Sequence, residues 1–303
     1  MDGLYKRVSS TFILRFLGLG IGFVLQIVLG RTLSQEMFGQ YTMYLTYTNV
    51  LMIFAIIGMD ENLIREVSRV SEDNAKSSSF LSFSMKVSFL LLVITSILAA
   101  VFHNFLSTPA NMIYIFLIIL LIKVAASIFD GFLQGAGFVV KVTFFNVLLN
   151  NSLKVVFFVI FISLHLDGLK SSLFSFILGE AVAIILRYVK IRELTGNKFS
   201  FEDDLSHDEK EQFLKYSLTV ALIAGIGVLL QNVNMIMLEK LLGADSVAVY
   251  KVAQNYVALI GVFISPFIAF WPVISKLYKE NKISEIQAEM RNIVKIVTYM
   301  VIP

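Results

Sequence analysis

The amino-acid sequence predicts an all-α, polytopic membrane protein, and its composition and hydropathy pattern lead to that fold class. Hydrophobic residues make up 57% of the 303 residues and charged residues only 16%, whereas soluble proteins are about 45–50% apolar and about 25% charged. The mean hydropathy is +0.79. The apolar residues form stretches of about 20, the length that a helix needs to cross the roughly 30 Å hydrocarbon core. Runs such as 113–122 lack the alternation of a barrel strand, so the spans are predicted to be helices.

Eight membrane spans follow one another along the chain, and a ninth begins near Ile293. We place the eight at residues 9–30, 41–59, 80–102, 111–130, 141–165, 169–189, 213–238 and 248–271. The first span follows Lys6 and Arg7 but contains no small-residue cleavage site, so we interpret it as an uncleaved span and not as a signal peptide. The polar connectors that follow delimit the next six spans. Trp271 and Pro272 are expected to anchor and end the eighth.

The basic residues predict which side of the membrane each connector faces. With the N-terminus in the cytoplasm, most Lys and Arg residues fall in the inner segments, and Arg187, at the inner end of the sixth span, is counted among them. The outer connectors hold only Arg31, Lys170, Lys240 and Lys251. Cytoplasmic connectors of membrane proteins carry such an excess, so we expect a multi-pass protein of the cell membrane with a cytoplasmic N-terminus. Residues 63–70 have apolar side chains at helical spacing, which predicts a short amphipathic helix on the cytoplasmic face.

Two parts of the chain match at a constant offset of 209 residues. The matched positions are Leu29, Arg31, Leu33, Glu36 and Tyr41 in one copy and Leu238, Lys240, Leu242, Asp245 and Tyr250 in the other. Six spans separate the copies, which predicts parallel repeats of the kind found in some transporters; chance similarity between apolar stretches is the alternative. The repeat predicts a six-span N-terminal lobe at 1–195, a cytoplasmic linker at 196–212 and the beginning of a second lobe at 213–303.

Three short segments resemble Wzx-type polysaccharide flippases of the multidrug/oligosaccharidyl-lipid/polysaccharide exporter (MOP) superfamily. They are GRTLSQEMFGQY at 30–41, GMDENLIRE at 58–66 and LEKLLGADSVAVY at 238–250. The resemblance implies a flippase that moves a polyprenyl-pyrophosphate-linked oligosaccharide from the inner to the outer leaflet by alternating access, for cell-surface polysaccharide biosynthesis. Its partners would be the lipid-linked glycan, membrane lipids and other membrane proteins of polysaccharide assembly. Because that family has more spans than this chain, we expect the second lobe to be truncated at its C-terminal end.

Polar residues inside the spans are the candidate functional residues. Asn146, Asn150 and Lys154 recur at every fourth position on one face of the fifth span, and Glu180 lies at a comparable depth in the sixth. A charge in mid-membrane costs about 2.5 to 3.5 kcal/mol and should face protein or a water-filled cavity. Embedded bases outnumber embedded acids, which favours a cationic cavity that accepts a phosphate or pyrophosphate. The predicted substrate-binding residues are Arg15, Lys86, Lys123, Lys154, Asn146, Asn150 and Asn151, and the predicted ion-coupling residues are Asp130 and Glu180.

Structural roles are the alternative for the same residues. Lys154, Glu180 and the asparagines can be polar contacts between helices, and Arg15 and Lys86 can extend toward the cytoplasmic boundary. Gly18 and Gly22 have the spacing of a close contact between helices, so we expect packing at the first span.

Several functions are disfavoured by what the sequence lacks. It contains no GxxxxGK[ST] phosphate loop and no cysteine, and its three histidines are far apart, so no ATPase, metal or cofactor site is predicted. No basic patch interleaves with aromatic residues, which argues against nucleic-acid binding. We expect a protein that is not an enzyme. The alternatives to a flippase are a multidrug exporter of the same superfamily, a membrane glycosyltransferase or polymerase, and a non-transporting fragment.

Overall fold

A computed structural model describes residues 2–70, 73–103, 106, 112–196 and 204–264, together with the single positions 283, 287 and 291. Within these ranges all the regular secondary structure is helical. The α-helices are α1 (Asp2–Thr32), α2 (Gln35–Ile56), α3 (Met59–Arg69), α4 (Asn74–Val101), α5 (Ile113–Gly135), α6 (Val139–Thr143), α7 (Asn150–Ser163), α8 (Gly168–Leu194), α9 (His207–Leu242) and α10 (Ala244–Ile264). A π-helical segment, Phe144–Leu149, joins α6 to α7.

Six helical stretches of the described chain are long and apolar enough to cross a membrane, and a bent pair of helices brings the number to as many as seven. The six are Ile13–Thr32, Asn74–Val101, Ile113–Gly135, Val139–Ser163, Gly168–Leu194 and His207–Leu242. The all-α, polytopic fold class is therefore confirmed. The eighth predicted span overlaps α10. Its remainder, and the ninth predicted span near Ile293, lie outside the described residues.

The bent pair consists of α2 and α3, whose axes differ in direction by 51°. The break falls at Ile57 and Gly58, which both have left-handed backbone conformations, with φ of 46° and 66°. Gly58 also lies against α9, because a Cβ atom at this position would be 2.5 Å from the Ser217 carbonyl oxygen. A side chain would therefore meet both a strained backbone and a steric clash.

Helix α3 is the amphipathic helix predicted around residues 63–70, and its position on the cytoplasmic face stays a prediction. Its apolar side chains Met59, Leu63 and Val67 are buried, and α3 packs against α4, α5 and α9. The apolar core continues from there into α2, α4 and α5. Large apolar side chains on the outer faces of α1, α4, α7 and α9 stay exposed, as expected for helices whose outer faces contact lipid.

The two predicted repeat copies have helix junctions at corresponding positions. α1 ends at Thr32 and α2 begins at Gln35, while α9 ends at Leu242 and α10 begins at Ala244. The junctions meet, since the Gln35 side chain donates a hydrogen bond to the Asp245 carbonyl oxygen at 3.1 Å. The division into lobes at 195 and 213 stays a prediction. Residues 1–249 form one compact unit and residues 250–303 another, and every contact described below lies in the first.

Candidate functional site

Four charged side chains form a buried network among α5, α7 and α8. The Arg187 guanidinium is 0% exposed and contacts the carboxylates of Asp130, at 2.8 Å, and Glu180, at 3.5 Å. The Lys154 ammonium lies 3.5 Å from the second oxygen of Glu180, and both side chains are less than 10% exposed. The pairing of Lys154 with Glu180 is thus found, and the four charges sum to zero.

Two asparagines add hydrogen bonds to this network. Asn146 donates to Asp130 at 2.8 Å and accepts a hydrogen bond from Arg187. Asn150 donates to Glu180. The π-helical segment contains Asn146 and so presents this side chain to α5 and α8. Such π-helical turns are uncommon and occur frequently at functional sites.

Arg187 corrects the sequence-based topology, which counts it among the basic residues of the cytoplasmic side. Helix α8 continues without a break to Leu194, so Arg187 lies two turns after Glu180, on the same face of the helix. It contacts both acids of the network and has no access to solvent. A polar residue at the end of an apolar stretch can be buried when the neighbouring helices supply its partners.

Helix α1 packs directly on the π-helical segment. A Cβ atom at Gly18 would lie 2.1 Å from the Val147 side chain, so only glycine permits this approach. Asn151 donates a hydrogen bond to the Gly18 carbonyl oxygen at 3.3 Å. Its side-chain amide nitrogen lies 3.2 Å from the position that a Cβ atom would take at Gly22. The helix contact predicted from the two glycines is therefore confirmed, and Asn151 takes part in it.

A cavity of about 300 Å³ lies between α2, α3, α5 and α9. It is lined by Asn49, Met52, Ile53, Ile56, Gly58, Asp60, Glu61, Lys123, Ala221, Ala224, Gly225, Val228, Gln231 and Asn232. Lys123 is the eleventh of the 23 residues of α5 and donates a hydrogen bond to the Asn49 side-chain oxygen. Asp60 accepts a hydrogen bond from Ser127 at 2.6 Å. The lining thus combines one cation, two acids and several amide groups.

The predicted substrate-binding residues do not all gather at this cavity. Lys123 lines it, whereas Lys154, Asn146 and Asn150 belong to the buried network. Asn151 contacts α1. Arg15 and Lys86 lie exposed on α1 and α4 and are not part of the lining. The sequence predicts a cavity of positive charge, but the lining of this one is mixed in sign.

Asn49, Asp60 and Glu61 are cavity residues that the sequence reasoning missed. Asp60 and Glu61 follow the second predicted span, so they were placed in a connector. The one local signal was Gly58 just before them, since glycine is typical of a break between helices. Asn49 carried no signal, because its partner Lys123 is 74 residues away in the chain.

Asn62 attaches α3 to α9 beside the cavity. Its side chain is fully buried, and its amide nitrogen donates to the Phe213 carbonyl oxygen at 2.9 Å and to the Ser217 hydroxyl at 3.0 Å. Gly58, one turn before Asn62, and Ala221, one turn after Ser217, both line the cavity. This contact therefore borders the cavity on its α3 side.

Comparison with known proteins identifies relatives at the level of family and fold. A family model described as "Polysaccharide biosynthesis protein" matches residues 4–278. No individual curated protein matches. Two similar solved structures are the outward-facing and inward-facing conformations of a multidrug resistance MATE family transporter of the MOP superfamily. The outward-facing structure has a TM-score of 0.64 and 18% identity, and the alignment covers 98% of this chain and 69% of the other. The inward-facing structure has a TM-score of 0.68 and 18% identity, and the alignment covers 97% of this chain and 70% of the other.

A third similar structure is a MOP superfamily transporter from Pyrococcus furiosus whose binding pocket is described as having reversed polarity. Its TM-score is 0.59 at 18% identity, with 96% of this chain and 69% of the other covered. Similarity at this level of identity establishes a common fold.

Proposed function

The chain belongs to the polysaccharide biosynthesis protein family, and from that premise we propose that it is a flippase for a polyprenyl-pyrophosphate-linked oligosaccharide. In this proposal the glycan moves from the inner to the outer leaflet of the cell membrane by alternating access, for cell-surface polysaccharide biosynthesis. The N-terminus would lie in the cytoplasm. A sugar headgroup cannot cross hydrocarbon, so a polar cavity must accommodate it while the prenyl tail stays in lipid.

Lys123 in the cavity is the observation that carries this proposal. The residue lies near the middle of α5, at a depth where a charge is costly unless it faces a polar space. Its hydrogen-bond partner Asn49 is neutral, so this hydrogen bond does not cancel the charge that a phosphate group would meet. The amide side chains of Asn49, Gln231 and Asn232 line the same cavity and can donate hydrogen bonds to phosphate or sugar oxygens.

The buried network supports a second part of the proposal, which concerns ion coupling. Asp130 and Glu180 both contact Arg187, and protonation of either acid would leave the network with a net positive charge. A proton can therefore change the interactions that hold α5, α7 and α8 together. We assign the coupling role to these two acids, with Lys154, Asn146 and Asn150 as the groups that position them.

A multidrug exporter is the second candidate function, because Asp60 and Glu61 line the cavity. Carboxylates attract organic cations, whereas Lys123 repels them. The flippase would therefore bind its substrate through Lys123, and the multidrug exporter would bind its substrate through Asp60 and Glu61 in the same cavity.

The experiment compares charge-removing variants at matched membrane levels of the protein. A Lys123→Gln variant should lose most surface delivery of the glycan, and Lys123→Arg should retain more of it because the charge persists. A variant with Asp60→Asn and Glu61→Gln serves as the opposite test, with export of a cationic dye as its readout. Normal glycan delivery by Lys123→Gln, together with loss of dye export in the double variant, would favour the multidrug exporter.

A further inference from the structure

A second and larger opening lies at another place on the bundle, between α3, the beginning of α4 and the beginning of α9. This cleft has a volume of about 570 Å³. It is lined by Arg65, Glu66, Arg69, Val70, Lys76, Phe80, Glu209, Gln212, Phe213, Lys215, Tyr216 and Thr219. Four of these residues are cations and two are carboxylates. Lys215 pairs with Glu211, just outside the lining, at 2.6 Å, so the excess of positive charge lies at Arg65 and Arg69.

The basic side chains of the cleft do not have one acid each. Arg65 and Arg69 both contact a single carboxylate oxygen of Glu66, at 3.5 and 3.2 Å. A guanidinium has five N–H donors, so most of the donors of this pair stay available to a further anion. Lys76 pairs with Glu209 at 2.6 Å across α4 and α9. Arg69 is 57% exposed, which makes its donors accessible from solvent.

Aromatic side chains give the cleft an apolar floor. The Arg65 guanidinium lies 3.8 Å from the ring centroid of Tyr216, and the rings of Phe80 and Phe213 stack with centroids 5.6 Å apart. The Phe213 carbonyl oxygen is also held by Asn62. Arg65 is therefore oriented by its stacking on an aromatic face, an arrangement that suits recognition of phosphate.

The sequence assigns this end of the bundle to the cytoplasmic side, where lipid headgroups meet the helix ends. Basic pockets between membrane helices on that side bind anionic headgroups. We propose that the cleft binds the net-negative, phosphate-bearing headgroup of a lipid in the cytoplasmic leaflet, with Arg65 and Arg69 as its main ligands. That lipid is either a phospholipid of the bilayer or the pyrophosphate-linked carrier, and only the second source rests on the proposed function.

The test measures lipid binding to the full chain in phosphatidylcholine nanodiscs. The two probes are phosphatidylglycerol and a short-chain prenyl pyrophosphate, with retained lipid quantified by native mass spectrometry. A variant with Arg65→Gln and Arg69→Gln should bind at least one probe about tenfold more weakly than the unchanged chain. The matched control carries Arg31→Gln and Arg192→Gln, two exposed arginines outside the cleft, and should bind as the unchanged chain does.

The single Arg69→Gln variant covers the case in which loss of both arginines impairs folding, since this side chain is mostly exposed. Preferential binding of phosphatidylglycerol would assign the cleft to bilayer phospholipid, and preferential binding of the prenyl pyrophosphate would assign it to the transported carrier. Equal binding by the cleft variants and the unchanged chain would overturn the proposal, as would an equal loss in the control. Such a failure would leave the result for Lys123 and glycan delivery unaffected.

Discussion

Replacing Arg187 by methionine should destabilise the protein more than any exposed substitution on the same helix. Arg187 is fully buried and contacts both Asp130 and Glu180, so Arg187→Met leaves two acids with Lys154 as their one remaining basic partner in the network. Removing one partner of a buried ion pair typically destabilises by about 3–5 kcal/mol. For a chain of this size that corresponds to a fall in melting temperature of roughly 10 °C.

The assay is thermal unfolding of the purified full chain in one detergent, followed by size-exclusion chromatography. Arg192→Gln is the control, because Arg192 is exposed on the same helix, and such surface changes stay within about 0.5 kcal/mol. Adding Glu180→Gln to Arg187→Met restores charge balance with Asp130 and Lys154, so the double variant should recover part of the lost stability. A melting temperature of Arg187→Met equal to that of the control would refute the account of the network.

Three further predictions concern the helix contacts and the coupling group. Gly18→Ala should reduce the yield of folded protein, because its Cβ would overlap Val147, whereas Gly20→Ala, with no atom within 4 Å, should not. Asn62→Leu should lower the free energy of unfolding by about 1–3 kcal/mol, because two buried hydrogen bonds are lost. Denaturation of the purified chain measures this change. Glu180→Gln should weaken the pH dependence of glycan delivery while Asp130 remains as the second coupling acid; a dependence equal to that of the unchanged protein would exclude Glu180 from coupling.

The membrane spans could be predicted because lipid imposes a length and a composition on each helix separately. Seven of the predicted spans correspond to described helices, counting α2 and α3 together. The pair between Lys154 and Glu180 was also accessible, since equal depth in adjacent spans places two opposite charges side by side. In each case the information lies in one helix or in two consecutive ones.

The cavity could not be derived in the same way, because its walls come from distant parts of the chain. Lys123 meets Asn49 across 74 residues, and Asn62 meets Phe213 across 151. Arg187 was missed for a different reason. Its spacing of seven residues from Glu180 was visible, but a basic residue near a span end fits the rule for cytoplasmic connectors equally well. Only the packing of α5 against α8 decides between the two interpretations.

The polar contacts make some helices of the described bundle more costly in free energy to separate than others. Separating α5, α7 and α8 would expose or unpair the four charges of the network, of which Arg187, Lys154 and Glu180 are less than 10% exposed and Asp130 is 14% exposed. Helix α9 is held to α3 by two hydrogen bonds from Asn62, which contribute about 1 kcal/mol each, and to α2 by a hydrogen bond from Tyr47 to the Glu239 carboxylate, which contributes about 1.5–3 kcal/mol. The cavity lies along this second boundary. In the proposed alternating-access transport, opening would therefore require the least disruption where α9 meets α2 and α3, beside Lys123.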